Sequence, residues 1–336
     1  MDEAVSPYPL TLLGTASLIT GCRPTTKTVA CRGTNNQVIL WDTATGQRRV
    51  LGNHSQPVTN FAFSPDGKAL ATASNDCLVR VWDVETGAVE SHSCHQQAVY
   101  SVAFASSDGT KLVSGGQRGE LWWWDRTAKK GTRVTGHRDD ETICCLTSSP
   151  DFRRLISGTV WGIRSEAIIW DISGGAPVAS GEPVDAGSVV SSISISPESE
   201  HFALGLIQPK VRIRRLSDSA EERTLVGEGP WMSGAAFSPN GEHFVTAAAS
   251  GQLRIYRNWR APNVDRDVTV FRTADAFRRV ELFPNGKAFV TASMDGNIRV
   301  WRLEEPVRKS RLLSDGKRWV STLYASSGCR PDTVAP

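Results

Sequence analysis

His54, Thr72, Asp76 and Trp82 are the residues of this chain whose types invite a chemical reading. A histidine, a carboxylate and a hydroxyl are the ingredients of a nucleophilic hydrolase, in which the imidazole takes the hydroxyl proton and the acid orients the imidazole. The spacing argues against that use. The same residue types return along the chain, as His95 with Ser114, His137 with Ser157, and Thr291 with Asp295 and Trp301. A set that recurs at a regular interval serves something each unit needs, and a buried polar chain whose members satisfy one another is the simpler account. On the sequence, the set is complete only around His54, because Arg118 stands at the acid position beside Ser114 and no histidine precedes Thr291. His92-Ser93-Cys94-His95 has metal-type residues at close spacing, but a structural zinc needs four ligands and no second cluster follows, so no metal is expected.

The elements that must carry these residues are legible from Asn53 to Asp83. Apolar runs at Val58 to Phe63, Leu70 to Ala73 and Leu78 to Trp82 are separated by Pro65-Asp66-Gly67 and Asn75-Asp76. Such runs and turns describe short antiparallel strands with both sheet faces mostly covered. One unit has no means of covering its own faces and must stack on copies of itself. The copies align on Trp41-Asp42, Trp82-Asp83, Trp124-Asp125 and Trp170-Asp171, then more weakly on Arg214, Tyr256 and Trp301, at steps of 41, 42, 46, 44, 42 and 45 residues.

A repeat of about 40 to 45 residues with Gly-His and Trp-Asp marks resembles the WD-repeat family, over nearly the whole chain. The resemblance implies an all-β fold, a seven-bladed β-propeller of four-stranded antiparallel blades. It also implies that His54, Thr72, Asp76 and Trp82 form a hydrogen-bonded structural tetrad, with no catalytic residue among them. Residues 1–14 then read as a lead-in and ring-closing outer strand, 15–306 as the propeller, and 307–336 as a tail. The tail is a rival for the closing slot or a partial extra repeat, since Gly328-Cys329-Arg330-Pro331 echoes Gly21-Cys22-Arg23-Pro24.

Individual blades depart from the pattern. In blade three, period two puts Trp122 and Trp124 on one face and Trp123 on the other. Blade four has an enlarged loop from Gly158 to Glu166 that carries Trp161 and Arg164. Its Cys144-Cys145 pair is expected to alternate across a strand as small core residues. Blade five has Arg214 where the buried indole belongs, so that charge must be paired or reach outward.

Composition bounds the function. Lys plus Arg number 38 against 35 Asp plus Glu, which gives no electrostatic case for nucleic acid. No apolar run approaches a membrane-spanning length, and Met1-Asp2-Glu3-Ala4 lacks the positive start of a signal peptide. Seven irregularly spaced cysteines do not make a disulfide framework. The expectation is a cytoplasmic monomer, with the nucleus open as well. No phosphate-binding loop or nucleophile elbow is present, so no cofactor is expected.

The resemblance implies that the residue after the first apolar position of each inner strand rims the mouth of a central channel. Those positions are Leu18, Thr59, Tyr100, Cys144, Ser191, Ser233 and Arg278. Tyr100 and Arg278, with Trp231 and the loop residue Trp161, are the large side chains expected to recognise a protein or peptide partner. A non-enzymatic interaction scaffold is therefore the leading expectation. An enzyme or small-molecule binder using the channel mouth, and a sensor array derived from a larger signalling protein, are the alternatives.

Overall fold

The computed structural model describes residues 10–12, 19–22, 28–160, 165–264, 268–303 and 329–331. Its strands form seven antiparallel sheets, and each is one blade of a seven-bladed propeller. Blade two shows how the sequence makes one. Val58–Phe63 runs out to the Pro65-Asp66-Gly67 turn, where Gly67 takes the positive φ that the turn requires. Ala69–Ser74 returns, Val79–Asp83 follows, and Val89–His92 is the outer edge. The inner strands of the other blades are Ile19–Cys22, Val99–Phe104, Thr142–Ser148, Val190–Ile195, Met232–Phe237 and Phe277–Leu282. Neighbouring inner strands touch around the whole circle, including Ile19–Cys22 against Phe277–Leu282.

The core is distributed over the seams. Among the described residues there are seven buried clusters, one between each pair of neighbouring blades. Leu40 of blade one packs with Phe61 and Trp82 of blade two, and Val29 and Trp41 of blade one pack with Phe283 and Val290 of blade seven. Burying both faces of every sheet needs a circle with no free end, and these seams supply it. The anchor aromatics serve them: Trp82, Trp124, Trp170, Tyr256 and Trp301 each lie in the seam with the preceding blade. Close indole packing requires missing side chains opposite it. A Cβ on Gly52 would sit 2.5 Å from the Trp82 ring, and one on Gly136 would sit 2.5 Å from Trp170. Blade three fills both seams as expected, with Trp124 towards blade two and Trp123 towards blade four.

Two expectations change and a third is met. The blade-four loop is shorter than Gly158 to Glu166, because the strand Arg154–Val160 continues and Thr142 pairs with Val160. The Thr159 hydroxyl meets both the backbone carbonyl and the N–H of Glu166, holding the strand pair together beyond the last apolar residue. Cys144 and Cys145 do not alternate, since a bulge falls between Ile143 and Cys145 and both sulfurs face the Val190 carbonyl. The terminal nitrogens of Arg214 are paired, as the sequence requires of a charge at that place: they donate to the carbonyls of Ser219 and Asp185 and meet Glu221 at 3.3 Å, while its buried Nε meets no partner.

The outer strand of blade seven has two sources. Leu10–Leu12 pairs antiparallel with Ile298, Arg299 and Val300, and Cys329–Pro331 pairs with Trp301, Arg302 and Leu303. Leu10 lies opposite Val300 and Pro331 opposite Trp301, so the two pieces follow one another along the same edge.

Candidate functional site: blade interiors and the channel mouth

In blade two the four chemical residues form one chain of hydrogen bonds. The His54 Nε2 to Thr72 Oγ1 distance is 2.8 Å, Trp82 Nε1–H donates to Thr72 Oγ1 at 2.9 Å, and His54 Nδ1 lies 2.9 Å from Asp76. The tautomer that satisfies every member has Nδ1–H donating to the carboxylate and the threonine hydroxyl donating to Nε2. Burial lowers the His54 pKa, which keeps the ring neutral. Burial alone would raise the Asp76 carboxyl, but the His54 ring and the Ser55 N–H hold it below its ordinary value. Thr72 has no solvent exposure and His54 has 1%. A substrate cannot reach this hydroxyl.

Blades three and four are complete too, which corrects the sequence reading. His95 lies 2.7 Å from Ser114 and 3.2 Å from Glu120, and Trp124 donates to Ser114 at 2.8 Å. His137 lies 2.7 Å from Ser157 and 3.1 Å from Glu141, and Trp170 donates to Ser157 at 2.8 Å. The acid is a glutamate arriving from a different loop position each time, two residues past Arg118 in one case and four past the histidine in the other. In all three blades it also accepts the backbone N–H of the residue after the histidine, namely Ser55, Gln96 or Arg138. Blade seven keeps the Trp301 to Thr291 bond at 2.8 Å, while Asp295 pairs with Arg299.

The inner strands share a second device. Each described inner strand from blade two to blade seven shifts register near its start, after the first residue or, in blade four, after the second, leaving one residue bulged: Thr59, Tyr100, Cys144, Ser191, Ser233 and Arg278. These are the rim positions read from the sequence, apart from Leu18, which lies outside the described residues. A bulge re-aims the side chains beside it. Here they stitch blades together: Thr59 donates to the Val99 carbonyl at 2.6 Å, Ser101 to Ile143 at 3.2 Å, and Cys144 to Val190 at 3.2 Å. In blades five and six the pattern lapses, and the buried hydroxyls of Ser191, Ser192 and Ser233 meet no partner.

The same face bears the loops that lead into the inner strands. The residue before each strand accepts a backbone bond from the residue after the second strand, as in Asn75 to Pro57, Gln117 to Ala98, Ile207 to Val189, Ala249 to Trp231 and Met294 to Ala276. Blades five and seven thereby display Ile207 and Met294, exposed at 43% and 58%, at equivalent places after the second strand, and blade six displays Trp231, exposed at 44%, on the other side of the same backbone bond. Arg278 is exposed beside them and lies close enough to Arg32 for its charge, after burial, to lower the Arg32 pKa. Tyr100 is half-buried across the ring, and its hydroxyl accepts from Gln117 at 3.3 Å. Phe277 is a seam residue, 1% exposed. Trp161 lies outside the described residues. Sequence reasoning missed Ile207 and Met294, although their position directly after the second strand marks them once the blades are aligned.

Several of the metal-type groups are already engaged by other partners. Both ring nitrogens of His95 are taken, and His92 packs on Trp124 with centroids 4.9 Å apart. Glu198, Glu200 and His201 come together, but Glu198 holds Arg260 and His201 holds Glu222 at 3.0 Å.

Comparison with known proteins accords with this geometry. The family model described as WD domain, G-beta repeat matches residues 46–83, 88–125, 128–171, 220–257 and 268–302. Each match begins near the outer strand of one blade and ends at the third strand of the next, so a sequence repeat straddles two blades. The WD repeat-containing protein srw1 of Schizosaccharomyces pombe is 26% identical over 226 residues, which is 66% of this chain and 40% of that protein. The chain thus spans well under half the length of this curated relative.

Proposed function

Because the chain belongs to the WD-repeat family, whose propellers typically serve as protein–protein interaction scaffolds, we propose that it is a non-enzymatic scaffold docking a peptide or protein at the channel mouth. The observation that carries this is the sector of blades five to seven, where Ile207, Trp231 and Met294 stand exposed at the two ends of the same kind of backbone bond, on the face that bears the exposed Arg278. Three large apolar side chains on one face, bordered by a cation, suit a partner segment with an apolar anchor and a carboxylate. Tyr100 contacts the segment from across the ring, and Trp161 adds to it from the blade-four loop. Against chemistry stands the sealing of the three Ser/Thr–His–carboxylate sets, whose hydroxyls have no solvent exposure. The protein acts as a cytoplasmic monomer, a reading favoured by the free thiols of Cys31, Cys77, Cys94, Cys144 and Cys145.

The test uses a partner captured from native lysate, identified by mass spectrometry and then purified. Tyr100→Ala combined with Arg278→Glu is expected to weaken its binding at least tenfold while the melting temperature stays within a few degrees of wild type. Undiminished binding by the folded double variant rejects the channel mouth as the site.

A further inference from the structure

The thiols of Cys144 and Cys145 lie 3.6 Å apart. Consecutive strand residues ordinarily point to opposite faces. Here the bulge after Ile143 turns both towards blade five, where Cys144 Sγ lies 3.2 Å and Cys145 Sγ 4.0 Å from the Val190 carbonyl oxygen. Cys144 also approaches the Gly158 carbonyl at 3.5 Å. In the preceding blades the same work at the seam is done by the hydroxyls of Thr59 and Ser101. Blade four alone among these does it with sulfur, and with two sulfurs at once.

The separation decides what the pair is fitted for. A disulfide bond is about 2.05 Å long, so direct oxidation would have to draw the sulfurs together by some 1.5 Å. Two sulfurs bound to one centre at roughly 2.3 Å stand roughly 3.4 Å apart where the centre is pyramidal and roughly 3.8 Å apart where it is tetrahedral, and the distance found lies between the two. A zinc-type cation would need further protein ligands. Among the described residues, the one group of three candidate ligands is Glu198, Glu200 and His201, and it does not include this pair. The fitting occupant is a soft centre that asks for two sulfurs and brings its remaining substituent with it.

We propose that Cys144 and Cys145 form a vicinal dithiol site, at the seam of blades four and five, that binds a monosubstituted trivalent arsenical. The hydrated arsenical carries two As–OH groups; in the reaction two S–H bonds and two As–O bonds break, two As–S bonds and two O–H bonds form, and two waters leave. Arsenic remains trivalent and no electrons are transferred. Entry is through Cys144, which is partly exposed, whereas Cys145 is 7% exposed. The electrostatics assist the first step. The Cys144 thiol donates to the Cys145 sulfur and, against the cost of burial, lowers its pKa with help from the Arg279 charge. The same hydrogen bond and burial hold the remaining proton well above the ordinary thiol value.

The probe is phenylarsine oxide, added in equimolar amount to the reduced, folded full-length chain and followed by intact mass and by titration of free thiols. The expected result is one adduct per chain with loss of two thiols, stable to a monothiol wash and removed by a dithiol. Cys144→Ser and Cys145→Ser are each expected to weaken adduct formation at least tenfold, whereas Cys31→Ser and Cys77→Ser are expected to leave it unchanged. Both seam variants should fold, since Thr59 and Ser101 show a hydroxyl making the same inter-blade bond. The proposal is overturned if either seam variant retains the wild-type adduct, if the adduct forms only in urea, or if equimolar zinc prevents it. The outcome is independent of whether any protein docks at the channel mouth.

Discussion

Glu120 shows what a single side chain contributes inside a blade. Its carboxylate accepts His95 Nδ1–H at 3.2 Å, out of reach of water, and the partly buried Gln96 N–H at 3.1 Å. Glu120→Ala strands one buried and one partly buried donor and is expected to cost roughly 2–3 kcal/mol in equilibrium denaturation, whereas Arg118→Ala should cost less than about 0.5 kcal/mol. The reverse ranking would return the acid position to Arg118, where sequence alignment puts it. That alignment fails because the chemistry requires a carboxylate oxygen at one point in space, and Asp76, Glu120 and Glu141 reach that point from different places in the loops. The histidines and hydroxyls were legible because they sit on or next to strands, where spacing is fixed.

The same residues set a pH dependence. Burial pushes the His95 pKa down to about 3, against about 6.5 in an unfolded chain. Between those values the unfolded state binds the extra proton, so the stability from keeping His95 neutral is complete above about pH 6.5 and is lost as the pH falls towards 3. For this residue alone the loss between pH 7.5 and pH 5 is about 2 kcal/mol. Denaturant midpoints at the two pH values should show it, and His95→Gln should reduce the difference. An equal acid sensitivity in that variant would assign the effect to other groups.

Among the elements, the blades are unequal in their internal bonding. Blades two, three and four each close a four-membered polar chain, while blade five has Arg214 at the anchor and unpartnered hydroxyls at Ser191 and Ser192. Local opening costs least where buried polar groups are least satisfied. Amide exchange is therefore expected to be faster in His201–Leu206 and Lys210–Arg215 than in Ala69–Ser74 and Val79–Asp83, by tenfold or more. Equal protection would mean that the seam clusters alone govern opening. Strand positions were readable from apolar runs and Gly-containing turns. The bulges were not, because they record a missing ladder bond that the period-two pattern does not encode. Cys144 and Cys145 show the consequence, since one unpaired residue converts an alternating pair into two thiols on one side.

For the whole molecule the question is how a ring built from a linear chain avoids a free edge. The third strand of blade seven, Ile298–Leu303, would present unpaired N–H and C=O groups, and such an edge templates association. Leu10–Leu12 covers the half from Ile298 to Val300, and Cys329–Pro331 covers the half from Trp301 to Leu303. Together they make six residues, the same number as the outer strands Arg48–Asn53 and Glu221–Val226. Pro331 has no N–H to offer a ladder, a residue suited to an edge position. Sequence resemblance identified both terminal segments as closers but treated them as rivals, because each alone looks like one whole strand. Removal of residues 1–14 is expected to lower the melting temperature by several degrees and to produce concentration-dependent association on size exclusion. Removal of 304–336 should act in the same direction, and removal of both should leave aggregated protein. A synthetic peptide of residues 8–14 should restore the melting temperature of the first deletion but not of the second, since it pairs only with Ile298, Arg299 and Val300. A deletion that melts and elutes as the intact chain does would show that the corresponding segment does not close the ring.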